Sequence, residues 1–239
     1  TDSILLERRE LTSGSTWHAA GNTTYFGPYP RMTQLFAGSI RTYLQAEEES
    51  GQSVSFHQTG SLRLAANERE LELFHVYAPR YEQMGIPFHI RTPEEVSELH
   101  PLIDVSGIYG AAHTPTDGYV DPTGATNAAA LAARNMGATI ERYVVVDAMH
   151  REGEHWVLET PTGKLRAPHV VSATSFWARA MLAPLGINLP VFPTQHHEIV
   201  TDSLPQIAAM ETELPTMRDS HISCNVRQER DGLLIGIYE

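Results

Sequence analysis

A short hydrophobic run that closes on an acid, Ile4-Leu5-Leu6-Glu7, is followed by a loop of small and hydroxyl-bearing residues, Thr12-Ser13-Gly14-Ser15-Thr16-Trp17-His18-Ala19-Ala20-Gly21. This pairing constrains the fold more than any other feature of the chain. A strand that ends on a carboxylate can hold ribose hydroxyls, and short side chains let backbone N–H groups approach phosphate oxygens. The combination suits a nucleotide site, with His18 placed where it can reach a bound ring system. Read alone, Glu7 also fits a surface acid at a strand end. The Gly14-Ser15-Thr16 that follows makes the cofactor reading the better one.

The 239 residues allow one large domain or two small ones. With 41% hydrophobic and 19% charged residues, the chain can build a core and is not a disordered segment. A formal net charge of −12 argues against a nucleic-acid partner, which wants a Lys/Arg surplus, but not against a small anionic substrate in a locally basic pocket. Cys224 is the single cysteine, so an internal disulfide and any multi-Cys metal site are excluded, and a reducing compartment fits. No apolar run approaches the ~18–20 residues of a membrane span, and the sequence does not open on a signal-peptide pattern.

In a dinucleotide fold a strand, a Gly-x-Gly-x-x-Gly turn and a helix come first, and the acid follows ~20 residues after the glycines. Here Glu7 arrives with no room for them, and Thr1 leads straight into a strand that reads as buried. Leu233 to Glu239 reads as a strand cut at its end. The expectation is an internal segment of a longer protein that binds FAD weakly, and has no activity, in isolation.

Apolar spacing predicts a helix over Met32–Glu49, a strand-turn-strand over Ser53–Ala66 around Thr59-Gly60, and a helix from Glu68 to about Met84. Ile86–Ile90 reads as a strand, and Thr92-Pro93-Glu94-Glu95 opens another helix. Gly107–His113 reads as a strand, Asp117–Pro122 as a turn, and Thr123–Asn135 as a helix capped by Asp121 or Thr123. Strands are expected from Gly137 and over Tyr143–Met149, then a hairpin of Trp156–Thr160 with Lys164–Ala173. A helix over Phe176–Leu185, a strand over Val191–Thr201 and two late strands complete the reading. Helices alternating with strands argue for α/β or α+β.

The Ser15-Thr16-Trp17-His18-Ala19-Ala20-Gly21 loop resembles, almost residue for residue, the flavin-anchoring loop of the dimethylglycine and sarcosine dehydrogenase family, in the D-amino-acid-oxidase-like superfamily. The likeness runs over nearly the whole chain. Phe56-His57-Gln58-Thr59-Gly60-Ser61-Leu62-Arg63-Leu64-Ala65 resembles the family's first substrate-domain hairpin, and Asp117-Gly118-Tyr119-Val120-Asp121-Pro122 its turn into the next Rossmann helix. The resemblance implies a Rossmann-like FAD domain, residues 1–50 and 123–188, interleaved with an antiparallel substrate domain, residues 51–122 and 189–239. It implies that His18 carries the FAD covalently, through attack of an imidazole nitrogen on the flavin 8α-methyl. The implied cofactor-binding set is Glu7, Arg8, Gly14, Ser15, Thr16, His18, Val146, Ser175 and Trp177, with Val146 facing the adenine.

The same resemblance puts His196 of Pro193-Thr194-Gln195-His196-His197-Glu198 near flavin and substrate as the catalytic residue, where a neutral imidazole can help remove the amine proton. Adjacent strand histidines point to opposite faces, so His196 and His197 do not chelate one metal, and no metal is expected. Two positions depart from the family pattern. Ala173-Thr174-Ser175-Phe176-Trp177 stands where relatives have Ala-Ala-Gly-x-Trp, and Asn225 stands about where dimethylglycine-oxidising relatives carry a tyrosine. An amide replaces a phenol in neither size nor acidity, which puts dimethylglycine itself in question.

The function implied is an FAD-dependent oxidation of the C–N bond of an N-methylated amine or amino acid, with hydride passing to the flavin and formaldehyde released. Tetrahydrofolate would capture formaldehyde only in a C-terminal region beyond this chain. An electron-transfer flavoprotein or oxygen takes the electrons, in a bacterial cytoplasm or, in a eukaryote, the mitochondrial matrix. Two other readings belong to the same fold: a non-catalytic relative like the regulatory subunit of pyruvate dehydrogenase phosphatase, and a D-amino-acid or glycine oxidase with non-covalent FAD. His18 disfavours both.

Overall fold

A computed structural model describes residues 2–238. In chain order the first elements are β1 (Ile4–Glu7), β2 (Asn22–Thr23), α1 (Pro30–Ser50), β3 (Ser61–Ala65), α2 (Glu68–Gln83), β4 (His89–Arg91) and α3 (Pro93–Leu99). Then come β5 (Gly110–Thr114), β6 (Gly118–Tyr119), α4 (Pro122–Asn135), β7 (Thr139–Arg142), β8 (Ala148–Glu152), β9 (His155–Thr160) and β10 (Gly163–Ala167). The last are α5 (Ala178–Leu182), β11 (His197–Val200), α6 (Pro205–Ala208), β12 (Thr216–Asp219), β13 (Cys224–Glu229) and β14 (Gly232–Ile237). The mixed α/β class read from the sequence is the one observed.

The chain divides into two compact units, Thr1–Gly14 with Ala133–Gln195, and Ser15–Ala132 with His196–Glu239. In the first, β1 and β7 pair in parallel, Ile4 opposite Thr139 and Glu7 opposite Arg142. A separate antiparallel sheet runs β10-β9-β8. The strand read as buried is not: Ile4 and Leu5 are 46% and 49% exposed, because β1 has β7 alone as a partner. Thr1, from which that strand was read, lies outside the described residues.

The second unit is built on a seven-stranded sheet in the order β11-β14-β13-β12-β3-β5-β4, antiparallel except where β12 runs parallel to β3. Period-2 alternation along β3 feeds two cores. Leu62 and Leu64 pack with Val96 of α3 and Ala111, while Ala65, on the opposite face, packs with Phe74 of α2 and Ala112. Between these, Arg63 shares Ala65's face. A third cluster joins Ala46 of α1 to Val54, Val120, Ala125 and Ala128, the Ala-rich face of α4 letting backbones approach closely.

Helix ends follow their local chemistry. Asn67 caps α2 by accepting from Glu70 N, Thr92 and Glu95 form a capping box on α3, and Asp121 caps α4 by accepting from Thr123 N and Gly124 N. Other readings are corrected. No hairpin forms over Ser53–Ala66: β3 finds its partners at β5 and β12, and His57 makes one bridge to Tyr119. The strand expected from Tyr143 begins at Ala148, because Tyr143 turns the backbone at φ 62. β10 stops at Ala167, before Pro168, and β11 starts only at His197, after Pro193. The helix expected over Phe176–Leu185 is a 3-10 turn (Ser175–Trp177), α5 and a second 3-10 turn (Ala183–Leu185) containing Pro184. The last strand ends at Ile237, and Glu239 lies outside the described residues.

Candidate functional site

In the first unit, parallel pairing carries β1 and β7 to the same end. Beyond them the backbone stays tied, with Val144 N donating to Glu7 O at 2.9 Å and Tyr143 N to Arg9 O at 3.3 Å. Glu7, Arg8 and Val146 therefore share the carboxyl rim of a parallel pair, the rim on which open α/β sheets take ligands. Glu7 is half-buried and its Oε1 accepts from Arg9 N at 2.8 Å, which fixes the carboxylate and leaves it a second oxygen. The Arg8 guanidinium lies 4.9 Å from the centre of the Trp177 ring. Ser175 opens the turn that carries Trp177 and sits at φ 52, a left-handed conformation that costs a non-glycine residue about 1 kcal/mol. Val146 lies in the stretch between β7 and β8, not on a strand. Gly14 is exposed in the loop that closes this segment.

In the second unit, Ser15–His18 forms a 3-10 turn with no buried residue, closed by Ala19 N donating to Thr16 O at 3.1 Å. The Trp17 and His18 rings lie 3.6 Å apart at 34°, and both residues are exposed. Just beyond, the chain is held firmly. Arg227 Nε donates to Ala20 O at 2.6 Å, Val120 N to Gly21 O at 3.0 Å, and Asn22 pairs with Tyr119.

Arg227 is 7% exposed and lies over the Tyr119 ring at 4.6 Å, with Nη2 2.7 Å from Glu229. His57 stacks on Tyr119 at 4.7 Å and 6°, its Nδ1 2.9 Å from Glu213. Glu198, on β11, is pushed up by burial, while the charges of Arg227 and His18 oppose that rise. His18, Glu198 and Arg227 therefore share one electrostatic neighbourhood. His196 precedes β11 rather than lying on the expected strand, and its ring meets Tyr238 edge-on at 4.7 Å and 70°. His196, just before β11, and Glu198, its second residue, thus lie two residues apart.

The structure brings Arg8 together with Trp177, sets Glu7 and Val146 on the same rim, and keeps Ser15, Thr16 and His18 on one turn. Sequence reasoning did not single out Arg227, Tyr119, His57 or Glu213. One signal was available: an arginine directly after Val226 in Cys224–Glu229, a strand buried over its first four residues, is out of place unless it serves a neighbour. Among the described residues no group of three or more His, Cys, Asp or Glu is arranged to hold a metal ion. No described helix is long and apolar enough to cross a membrane.

Within the first unit, a half-buried carboxylate on a parallel-strand rim suits the ribose of a nucleotide. A profile of the family described as FAD dependent oxidoreductase matches residues 2–239. The chain is 41% identical over its whole length to the mitochondrial dimethylglycine dehydrogenase of Rattus norvegicus, of which it spans 28%. It is 32% identical over 99% of its length to the mitochondrial sarcosine dehydrogenase of Homo sapiens, of which it spans 26%. The crystal structure of L-proline dehydrogenase from P. horikoshii superposes with a TM-score of 0.87 and 29% identity, over 99% of this chain and 63% of that one. The chain thus spans between a quarter and a third of the length of the curated relatives it matches.

Proposed function

The chain belongs to the FAD dependent oxidoreductase family, and from that premise we propose that the whole protein oxidises the C–N bond of an N-methylated amine or amino acid, with FAD attached through His18. The observation that carries this reading is the exposed His18 imidazole on a turn whose following backbone is fixed by Arg227 and β6. The names of the dehydrogenases reported above support the substrate class and, in a eukaryote, a mitochondrial location.

When bound, FAD supplies the hydride acceptor. The protein's own residues hold and orient it. Glu7 takes the ribose hydroxyls with its second carboxylate oxygen, and Arg8 with Trp177 forms a cationic and aromatic wall beside it. Gly14, Ser15 and Thr16 present backbone to the phosphates, Val146 presents backbone to the adenine, and Ser175 lines the approach. His196, neutral, accepts the amine proton, because only the free amine has a lone pair to assist the oxidation. In this assignment residues 1–50 and 123–188 serve the cofactor and residues 51–122 and 189–239 the substrate. Electrons leave to an electron-transfer flavoprotein or to oxygen.

The test is acid denaturation of the full-length protein followed by electrophoresis. Flavin fluorescence should travel with the protein band in the wild type and leave it in His18→Ala. Flavin released freely from the wild type, or fluorescence that survives in His18→Ala, overturns the attachment.

A further inference from the structure

The face of the seven-stranded sheet that carries Arg63 is crossed by the segment running from β2 to Phe26, and between them lies a cleft of about 60 Å³. Its walls include Thr23, Phe26, Arg63, Thr216, Arg218 and Asn225. Its polar groups are poorly served. Thr23 is 6% exposed and its Oγ1 has no hydrogen-bond partner, and Arg63 Nε is likewise buried without one.

Charge makes the case sharper. Arg63 on β3 and Arg218 on β12 stand directly opposite each other in register, and like charges so placed repel. Among the described residues no carboxylate lies within ion-pair distance of either. The acid on this side, Asp117, already accepts from Thr24 Oγ1, Tyr25 N and Ser61 Oγ. Arg63 is held in place by its 4.1 Å contact with the Phe26 ring and by Nη1 donating to Ser220 Oγ at 3.2 Å. Burial and the charge of Arg218 pull the Arg63 guanidinium down to about 10, in line with two cations left facing one another.

We propose that this cleft binds a carboxylate group, held between the Arg63 and Arg218 guanidiniums with the Thr23 hydroxyl donating a further hydrogen bond. Two unpaired cations and an unpartnered hydroxyl converging on one cleft call for an anion. A guanidinium fork also matches the planar anion bidentately. The carboxylate belongs either to an amino acid or to a simple carboxylic acid. The proposal stands whether or not His18 carries flavin, since none of its groups belongs to that turn.

The experiment uses the full-length protein and direct calorimetric titration with acetate, glycine, inorganic phosphate and uncharged acetamide. Acetate or glycine should bind at least tenfold more tightly than acetamide, and more tightly than phosphate if the fork is set for a planar anion. Glycine tighter than acetate assigns the group to an amino acid, and the reverse to a simple acid. Arg218→Gln, an exposed position that leaves the fold intact, should weaken carboxylate binding at least tenfold, and so should Asn225→Tyr, which fills the cleft. Acetate and acetamide binding alike, phosphate binding as well as acetate, or Arg218→Gln binding as the wild type overturns the proposal. Circular dichroism identifies any variant that has failed to fold, and Arg218→Lys, restoring the charge without the fork, should recover part of the affinity.

Discussion

Ser175 occupies a backbone conformation that its side chain opposes. At φ 52 its Cβ crowds the following carbonyl, whereas glycine has none, and no side-chain hydrogen bond of Ser175 offsets the cost. Ser175→Gly should therefore stabilise the full-length protein by about 0.5–1 kcal/mol, part of the relief being lost to the freer unfolded chain. Urea unfolding decides it: an unchanged or lower midpoint would show that the serine is not strained. Arg227 is the opposite case, a residue each of whose three guanidinium nitrogens has a partner. Nε serves Ala20 O, Nη1 serves Gln228 O at 2.8 Å, and Nη2 serves Glu229. Lysine keeps the charge but cannot reproduce the fork. Under the attachment proposed at His18, Arg227→Lys should leave the fold intact yet slow covalent flavin incorporation about tenfold, the equivalent of about 1.4 kcal/mol of lost positioning. A normal incorporation rate in Arg227→Lys would assign Arg227 a packing role alone.

At the scale of elements, Asp117 ties three segments into one. Its carboxylate is fully buried and accepts from Thr24 Oγ1 at 2.7 Å, Tyr25 N at 2.7 Å and Ser61 Oγ at 2.6 Å, so the segment after β2, the start of β3 and the approach to β6 converge on it. An amide offers one acceptor oxygen where the carboxylate offers two. Asp117→Asn should thus orphan a buried donor and cost about 2 kcal/mol, read as a fall in the thermal midpoint. A midpoint equal to wild type would mean that the hydroxyls find other partners.

Asp117 also shows what a sequence can convey. The run Asp117–Pro122 reads as a turn, and the cap that Asp121 gives α4 is visible because its donors lie two and three residues away. The partners of Asp117 lie 56 to 93 residues distant, and nothing in the local pattern points to them. The same division explains the strands. Helices α2 and α3 carry their capping residues with them, so the limits of α2 and the start of α3 were legible to within a residue or two. β3 takes both partners from far along the chain, and its neighbours were misread as a hairpin. The Ser15–Gly21 loop could be singled out because its residues are contiguous, whereas Arg227, which donates to Ala20 O from 207 residues away, could not.

Over the whole molecule the buried histidines set how stability responds to acid. His113 on β5 and His100, just after α3, are 8% and 3% exposed, and His113 Nδ1 and both His100 ring nitrogens lack partners. Burial pulls His113 down from 6.5 to about 4, helped by the charges of Arg91 and His89, and burial also lowers His100. A depressed imidazole is neutral in the folded chain and takes up its proton more readily when unfolded. Between pH 6.5 and about 4 the unfolded state therefore binds more protons, and stability falls as the pH drops through that window. Allowing for partial solvent access, His113 alone should cost the protein roughly 2 kcal/mol by its lower edge. His113→Asn removes the titrating group, so its denaturation midpoint should vary less between pH 7 and 4.5 than that of the wild type. Both proteins share the same carboxylates, so the difference between the two curves isolates the imidazole. Parallel curves for wild type and His113→Asn would place the acid sensitivity elsewhere, with His100→Asn the next variant to measure.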